Sequence, residues 1–344
     1  MNIEIIDPLK YRGWDDMVLS TKDYSFFHSS SWAHVLSESY AYKPLYFTIF
    51  DNSRMLALIP LMEINSFLTG KRGVSLPFSD YCEPMVSDGV SFREIFDFVI
   101  TYGKRKGWKY LEFRGAQAFF EKEKPTELFF GHTLDFGEGA ENILTRFRES
   151  TRRNIKKAEK EGVRVSASTS LDDMKVFYNL NCLTRKYHGL PPQPFSFFKA
   201  VHQYAISEGF GFVMLASYKG SSIAGAVFFH FGRKAFYKYG ASDRSYQYLR
   251  ANNLIMWEAI KGYAQNGYKS FCFGRTESEN KGLRQFKTGW GTKEYIMKYY
   301  KYNLGKNAFM TNHQIITASQ NKILSKMPIP LLRWMGSLFY KHIG

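Results

Sequence analysis

Cysteine is scarce in this 344-residue chain, and its distribution excludes several kinds of site. The three cysteines, Cys82, Cys182 and Cys272, lie far apart and form no C-x-x-C pair. This spacing argues against a disulfide framework and a structural zinc site, and it favours a reducing compartment. Long apolar runs are also missing, since no segment approaches the roughly 18 apolar residues that a membrane-spanning helix needs.

The common catalytic signatures are absent as well. The sequence contains no G-x-x-x-x-G-K-[ST] phosphate loop and no H-E-x-x-H metal motif. The segment GSSIAG at 220–225 approaches a nucleophile elbow, but Ala224 replaces the glycine that this turn needs. No nucleophile with a matching base remains, so the sequence favours transfer chemistry that depends on positioning and electrostatics, without a metal.

Acidic residues are few relative to basic ones. The chain has 47 Lys and Arg against 31 Asp and Glu, which gives a formal charge of +16. This excess indicates anionic partners, namely nucleic acid, phosphorylated substrates or the inner face of a membrane. The first residues, MNIEIIDPLKYRGW, lack the layout of a signal peptide, so we predict a cytoplasmic protein with possible peripheral contact at the membrane.

Two parts of the chain resemble each other. VITYGKRKGWKYLEFRG at 99–115 and AIKGYAQNGYKSFCFGR at 259–275 each place a helical pattern, a glycine and a short apolar strand in the same order. Upstream of each lies a predicted β-hairpin, at 45–64 and at 211–231. The shared order predicts a duplicated unit with mixed β-sheets flanked by helices.

This organisation divides the chain into four predicted segments. A first domain at 1–143 and a second at 163–305 are joined by a basic helix at 144–162, and a segment at 306–344 ends in a basic amphipathic helix. The joining helix carries Arg152 and Arg153, which either contact phosphate or belong to a solvated face. The final helix either lies in a membrane interface or packs on the protein's own core.

Four segments together resemble the Fem-type peptidyltransferases, which belong to the doubled acetyltransferase-fold (GNAT) proteins. They are ESTRRNIKKAEKEGVRV, LTRKYHGLPPQPFSFF, YKYGASDRSYQYLRANNLIMWEAI and FGRTESENKGLRQFKTGWG. The resemblance implies an α/β fold of two tandem GNAT-like domains. It also implies transfer of an amino acid from aminoacyl-tRNA to an amine of a peptidoglycan precursor, without a cofactor. The last segment also resembles a branch associated with exopolysaccharide.

The resemblance assigns a catalytic role to the pair Phe286-Lys287. In the family, an FK pair supplies a lysine to the acyl-transfer site. A fixed cation there stabilises the negative charge that develops on the carbonyl oxygen as an amine attacks. Phe286 and Trp290 are expected to hold the lysine side chain and exclude water.

Further site residues come from the same resemblance, each beside an alternative. Arg185 matches an arginine that contacts a substrate phosphate. Tyr239 matches a site tyrosine or is a strand residue of the core, and Arg275 points into the cleft or pairs with a nearby glutamate. Asp80 accepts a proton from the attacking amine or caps a turn. Asn253 contacts substrate or only packs.

The chain departs from the family at two positions. Small CoA-dependent GNAT enzymes bind pyrophosphate through a glycine-rich loop at a helix N-terminus. The corresponding stretch at 247–252 has Arg250 and Asn252 in place of glycines, which argues against CoA unless Arg250 binds phosphate with its side chain. Near SSSWAHVL there is no phosphate-binding lysine, and His34 or Arg72 is the candidate substitute.

Three functions remain open from the sequence. The favoured one is an aminoacyltransferase that uses aminoacyl-tRNA and a phosphorylated or lipid-linked envelope precursor. The second is an acyl-CoA-dependent N-acyltransferase that acts on an amino sugar of a polysaccharide. The third is a non-catalytic module that binds tRNA or a membrane.

Overall fold

Both predicted hairpins are present in the computed structural model of the chain, which describes residues 2–52, 54–137, 140–311 and 322–344. In the first hairpin, antiparallel pairing runs from Lys43 opposite Glu63 to Asp51 opposite Arg54. In the second, Lys219 and Gly220 occupy the turn with φ angles of 49° and 79°. Two positive φ angles in a two-residue turn match the twist of the adjoining strands, as the Lys-Gly-Ser sequence predicts.

The strands of the described residues alternate with helices along the chain. The strands are β1 (Ile3–Ile6), β2 (Lys43–Asp51), β3 (Arg54–Ser66), β4 (Gly70–Val74), β5 (Met85–Val86), β6 (Tyr110–Arg114), β7 (Glu127–Asp135), β8 (Arg164–Ser168), β9 (Gly211–Tyr218), β10 (Ser221–Phe231), β11 (Lys234–Ser242), β12 (Ser270–Glu277), β13 (Lys293–Asn303) and β14 (Ala308–Met310). The α-helices are α1 (Trp14–Leu19), α2 (Ser30–Tyr40), α3 (Phe92–Arg105), α4 (Glu149–Lys160), α5 (Leu171–Tyr187), α6 (Phe195–Val201), α7 (Ala251–Gln265), α8 (Lys281–Thr288) and α9 (Ile329–Ile343). Short 3-10 segments lie at Phe26–His28, Ala140–Arg146 and Arg244–Leu249, and a π-helical turn lies at His202–Ile206.

The described residues fall into two compact units that differ from the predicted boundaries. The first unit takes its residues from 1–129, 296–314 and 339–344, and the second from 130–295 and 315–338. The chain therefore leaves the first unit near Phe129 and returns to it at Ile296, whereas the sequence suggested a single passage near 143. Hydrophobic periodicity does not report such a return, because it describes each strand and not the strands beside it.

The first unit is a mixed sheet in the order β1-β2-β3-β4-β6-β13. β4 and β6 run parallel, and the connection between them includes α3. One core of this unit combines the apolar side of α3 with β2, β3 and β6, and it includes Phe47, Phe96, Trp108 and Phe113. The amphipathic pattern of α3 thus buries its apolar face on this sheet.

The second unit repeats this plan in the order β7-β12-β11-β10-β9-β8, with β11 and β12 parallel. Side chains alternate along β10. Ala224, Ala226 and Phe228 join the core that contains α7, whereas a Cβ on Gly225 would meet Phe177 of α5. The sheet of this unit is therefore covered by a helix on each face, as the sequence predicts.

The two helix-to-strand junctions that suggested duplication have the same geometry. Gly107 after α3 and Gly267 after α7 have φ angles of 71° and 72°. The next residue donates its backbone N–H five positions back, Trp108 to Gly103 (2.9 Å) and Tyr268 to Tyr263 (3.1 Å). This is the hydrogen-bond pattern of a glycine-terminated helix, so both glycines have the predicted role.

The basic helix at 144–162 is shorter than predicted and belongs to the second unit. α4 begins at Glu149, and its apolar stripe places Ile155 and Ala158, together with Phe147, in the core that contains α7. Its basic side chains, Arg152 and Arg153 among them, are exposed. Across the part of the chain that the structure describes, no helix is both long and apolar enough to span a bilayer.

Candidate functional site

Lys287 lies at the end of a short helix whose start is set by a side-chain cap. Asn280 accepts a hydrogen bond from the Leu283 backbone N–H (3.1 Å) at the beginning of α8. Lys287 is 2% exposed, and its Nζ donates to the carbonyl oxygens of Gly274 (3.0 Å) and Arg275 (2.7 Å). The predicted catalytic lysine is thus a buried group held against the end of β12.

Gly274 explains how one ammonium reaches two successive carbonyl groups. Along a regular extended strand, successive backbone groups alternate in direction. Gly274 has a φ of 68°, in the left-handed region that glycine adopts without a steric cost, and this breaks the alternation. Since carbonyl oxygens only accept hydrogen bonds, both contacts favour the protonated form of Lys287.

Near this lysine lies a partly buried network that the sequence did not indicate. Arg284 holds Glu294 through two hydrogen bonds, from Nε to Oε2 (2.8 Å) and from a terminal nitrogen to Oε1 (2.6 Å). The same carboxylate contacts Nε2 of His132 (2.9 Å), a side chain with no exposed surface. The hydrogen bond from Arg284, together with that from His132, holds the pKa of Glu294 below its ordinary value.

The charges in this network determine the state of His132. Burial, and next the nearby Lys287 ammonium, lower the pKa of His132. A neutral imidazole that faces the ionised Glu294 carboxylate must donate from Nε2, which leaves Nδ1 as a bare acceptor. Nδ1 is buried and has no hydrogen-bond partner among the described residues. The 162 positions between His132 and Glu294 explain why no local motif revealed the pair.

A cavity of about 130 Å³ opens at the start of α7. Its lining is polar except for a few side chains, Phe286 among them, and includes Ser242, Asp243, Gln247, Arg250, Asn252 and Asn253. Arg250 precedes the helix with a φ of 61°, and no side chain caps this end. The first backbone N–H groups of a helix have no intrahelical partner, so this cavity suits an anion.

Arg250 therefore keeps the backbone conformation that a glycine would provide. The sequence identified this position as one where small CoA-dependent GNAT enzymes have glycine, and the left-handed φ explains that preference. The Arg250 side chain is exposed and lines the cavity, whereas Asn253 is buried and also lines it. Of the sequence-predicted residues, the structure thus brings Phe286, Arg250 and Asn253 together around one cavity.

The other predicted arginines lie at different places in the second unit. Arg185 is half-buried in the last turn of α5, and its Nε donates to the Pro191 carbonyl (3.2 Å). Arg275 is half-buried at the end of β12, with Glu277 at the limit of an ion pair (4.0 Å). This contact agrees with the alternative that Arg275 pairs with a nearby glutamate.

The predicted aromatic residues pack in two places. Trp290 is fully buried in the core of the second unit, where its ring lies 5.0 Å from Phe147 and 5.9 Å from Phe286. It supports α8 from inside and offers no surface to a substrate. Tyr239 is half-buried on β11, and its ring packs edge-on against Phe198 at 5.5 Å.

Asp80 and Arg72 belong to the first unit. Asp80 is half-buried in the loop after β4, and its backbone carbonyl accepts a hydrogen bond from Tyr299. Arg72 is 1% exposed and donates to the carbonyl oxygens of His342 (2.8 Å) and Gly344 (3.1 Å). Its guanidinium thus holds residues 342 and 344, and the suggestion that Arg72 replaces a phosphate-binding lysine stays a prediction.

Comparison with known proteins supports the relationship that the motifs indicated. Residues 145–288 match the family model described as an acetyltransferase (GNAT) domain. The chain is 30% identical over 102 residues to the lipid II:glycine glycyltransferase of Staphylococcus haemolyticus, covering 28% of this chain and 23% of that protein. It is also 30% identical over 124 residues to the enzyme of that name from Staphylococcus saprophyticus, covering 33% and 28%. The matched region is thus about a quarter of these relatives.

Solved structures share the fold over most of the chain. The crystal structure of FemX superposes with a TM-score of 0.69 at 15% identity, covering 89% of this chain and 98% of that one. A tandem GNAT protein from the clavulanic acid biosynthesis pathway superposes with a TM-score of 0.57 at 10% identity, covering 88% and 98%. The predicted α/β fold of tandem GNAT-like domains is confirmed. The partial matches to the glycyltransferases support the predicted Fem-type relationship.

Proposed function

Because this chain is a relative of the Fem-type transferases, we propose that it is an N-acyltransferase of the aminoacyl type. Its donor would be aminoacyl-tRNA and its acceptor an amine of a lipid-linked cell-envelope precursor, reached at a membrane surface. The matched relatives are named for glycine transfer to lipid II. The observation that carries the proposal is the buried Lys287, fixed by two backbone carbonyls at the end of β12.

The proposed chemistry places developing negative charge near this lysine. When the acceptor nitrogen attacks the aminoacyl carbon, a C–N bond forms, and the ester C–O bond to the tRNA then breaks. The carbonyl oxygen is most negative between these two events. A cation that is already desolvated and oriented stabilises that charge without rearranging, so it lowers the barrier more than it strengthens ground-state binding.

The cavity at the start of α7 is the proposed site for a phosphate of the donor. Uncapped backbone N–H groups and the Arg250 side chain suit a phosphodiester near the acceptor end of tRNA. Phe286 lines this cavity and is the neighbour of Lys287 in α8. This adjacency supports a donor that extends from the cavity toward the lysine.

Proton removal and acceptor binding rest on predictions from the family. We retain Asp80 as the candidate that accepts the proton of the attacking amine. Arg185 is retained as the candidate contact for a phosphate of the acceptor, and Tyr239 as a site residue. The exposed Arg152 and Arg153 on α4 are candidates for contact with the tRNA backbone.

A second donor, acyl-CoA, is favoured by one specific observation. The cavity lies at the helix start where CoA-dependent GNAT enzymes bind pyrophosphate, and Arg250 keeps the required left-handed backbone. However, Arg250 and Asn252 stand where those enzymes have glycines that let the backbone approach the pyrophosphate. We therefore rank aminoacyl-tRNA first.

The test separates the donors and the role of Lys287 in one assay. Purified protein is incubated with radiolabelled aminoacyl-tRNA, or with radiolabelled acetyl-CoA, and with a lipid-linked peptidoglycan precursor. We expect label from the tRNA to reach the precursor, and Lys287→Ala to lower kcat by about 10²- to 10³-fold. Lys281→Ala is the matched control, because Lys281 is exposed on the same helix. Equal rates for the two variants would contradict the proposed role of Lys287.

A further inference from the structure

The final helix is fixed to the protein along one side. In the second unit, Leu332 has no exposed surface, and Arg333 donates to Asn179 Oδ1 (2.6 Å) and Cys182 Sγ (3.3 Å) of α5. Gly336 packs so closely that a Cβ there would lie 1.9 Å from the Pro192 carbonyl oxygen. Of the two alternatives for this helix, packing on its own protein is thus present along this side.

The last residues of α9 are held in the first unit. The Tyr340 carbonyl accepts a hydrogen bond from Tyr42 (3.2 Å), and His342 Nδ1 lies 3.0 Å from Ser66 Oγ. Arg72 binds the carbonyl groups of the final residues, as described above. The helix is therefore ordered at its C-terminal end without any partner protein.

The opposite side of α9 carries large apolar side chains that stay in contact with solvent. The exposed fractions are 40% for Leu331, 59% for Trp334 and 40% for Leu338. At 100° per residue, these three positions fall within about 60° of the helix circumference, opposite the side that carries Leu332 and Gly336. A continuous apolar face of this kind on a folded helix indicates an interaction surface.

The charges around this surface identify the kind of partner. Residues 322–344 contain four Lys and Arg and no Asp or Glu. Lys322, Lys326 and Lys341 are exposed, and the whole chain carries +16. Cations beside an apolar face with an exposed tryptophan match an anionic lipid interface, where the rings enter the headgroup region and the lysines meet lipid phosphates. A water-soluble protein partner does not require this one-sided charge.

We propose that the exposed face of α9 formed by Leu331, Trp334 and Leu338 binds the surface of an anionic membrane. This deepens the proposed function, on which its biological meaning rests, because a lipid-linked acceptor is presented at such a surface. The binding itself depends only on the side chains of α9.

Trp334 provides a direct signal for the test. Four of the six tryptophans, Trp14, Trp32, Trp108 and Trp290, are at most 4% exposed, and Trp257 is half-buried. On vesicles of phosphatidylglycerol and phosphatidylcholine, we expect co-sedimentation and a blue shift of the emission. Pure phosphatidylcholine vesicles should bind at least tenfold more weakly, and 0.5 M salt should weaken binding to the anionic vesicles. Trp334→Phe should still bind but lose the shift.

A matched pair of double variants tests the surface. Trp334→Ser/Leu338→Ser should bind anionic vesicles at least tenfold more weakly than the parent chain. Leu128→Ser/Ile296→Ser, which alters two side chains that are each 50% exposed on strands, should bind like the parent. Circular dichroism and urea unfolding establish that each variant is folded. Equal binding of both variants, or binding independent of lipid charge, would overturn the proposal.

The remaining outcomes separate this inference from the proposed activity. Self-association that is lost in Trp334→Ser/Leu338→Ser, with no vesicle binding, would show that a second copy covers the face and would overturn the membrane proposal. Transfer to a water-soluble acceptor analogue should be unchanged in this variant. If the parent transfers label but ignores vesicles, only the membrane inference fails. If it binds vesicles but transfers from no donor, only the proposed activity fails.

Discussion

The two units share a helix–glycine–strand junction, but the strand that follows it ends differently in each. In the first unit, Arg114 at the end of β6 is 8% exposed and binds Glu112 (3.1 Å) and the Ser79 carbonyl (3.3 Å). In the second unit, Arg275 is half-exposed, and its backbone carbonyl instead receives the Lys287 ammonium. Arg114 thus binds neighbouring groups at the end of β6, whereas the end of β12 binds the buried ammonium of Lys287 from α8.

The N-terminal ends of the two corresponding helices, α3 and α7, also differ. α3 begins after Ser91, whose side chain accepts a hydrogen bond from the Glu94 backbone N–H (3.4 Å). α7 begins after Arg250 without a side-chain cap and faces a cavity. At the start of the helix, a side chain therefore accepts from a backbone N–H in the first unit, whereas in the second unit the first backbone N–H groups are available to a ligand. This difference supports the assignment of donor binding to the second unit.

The largest expected effect concerns the ion pair between Arg114 and Glu112 at the end of β6. Burial would raise the pKa of Glu112, but Arg114 and Lys301 hold it below its ordinary value. Arg114→Ala leaves this carboxylate buried with one partner fewer, and we expect a loss of about 3 kcal/mol in the free energy of unfolding. Arg275→Ala should change it by less than about 1 kcal/mol, since this side chain is partly solvated. Urea unfolding of both variants measures the contrast, and equal losses would contradict it.

The second effect tests the strand end that holds Lys287. In Gly274→Ala, an alanine must adopt a φ of 68°, at a cost of about 1 kcal/mol. If the backbone relaxes instead, the carbonyl groups of residues 274 and 275 no longer both point toward the Lys287 ammonium. We expect at least a tenfold loss of transfer activity. Gly220→Ala is the control, because Gly220 has a φ of 79° in a hairpin turn with open space around it. Both variants should lose similar stability, but only Gly274→Ala should lose activity; parallel activity losses would refute the role given to this glycine.

The third effect compares the two helix starts. Ser91→Ala removes a cap and should cost about 1 kcal/mol in the free energy of unfolding. Arg250→Gly relieves a left-handed φ but adds chain entropy to the unfolded state, so the free energy of unfolding should change by less than about 0.5 kcal/mol. In transfer assays, Arg250→Gly should raise the KM for the donor several-fold and leave kcat nearly unchanged. An unchanged KM would mean that the cavity does not hold a donor phosphate.

The sequence predicts those features whose causes are local. The hairpin turns, the glycines after α3 and α7 and the apolar stripe of α4 each depend on residues close together in the chain, and each is present. The contact between His132 and Glu294 depends on two strands that are distant in sequence. The pairing of Arg114 with Glu112 depends on burial that no motif encodes. The resemblance indicated Lys287, but its two carbonyl partners required the structure.

The smallest effect concerns the pH dependence of stability in each unit. Burial is the largest cause of the lowered pKa of three histidines in the second unit, His132, His188 and His230. Burial also lowers the pKa of His342 in the first unit. A histidine with a lowered pKa in the folded state binds fewer protons there than in the unfolded chain. Its contribution to stability is therefore complete above the ordinary value of 6.5 and is lost as the pH falls below it.

His132→Gln should reduce this pH dependence while an amide still faces Glu294. As the pH falls from 6.5 to 5, we expect the free energy of unfolding of the parent chain to fall more steeply than that of the variant. Urea unfolding at several pH values measures the difference, and His230→Gln offers a comparison on β10 that is not beside Glu294. If the parent and His132→Gln curves stay parallel, then His132 does not titrate on unfolding in this range.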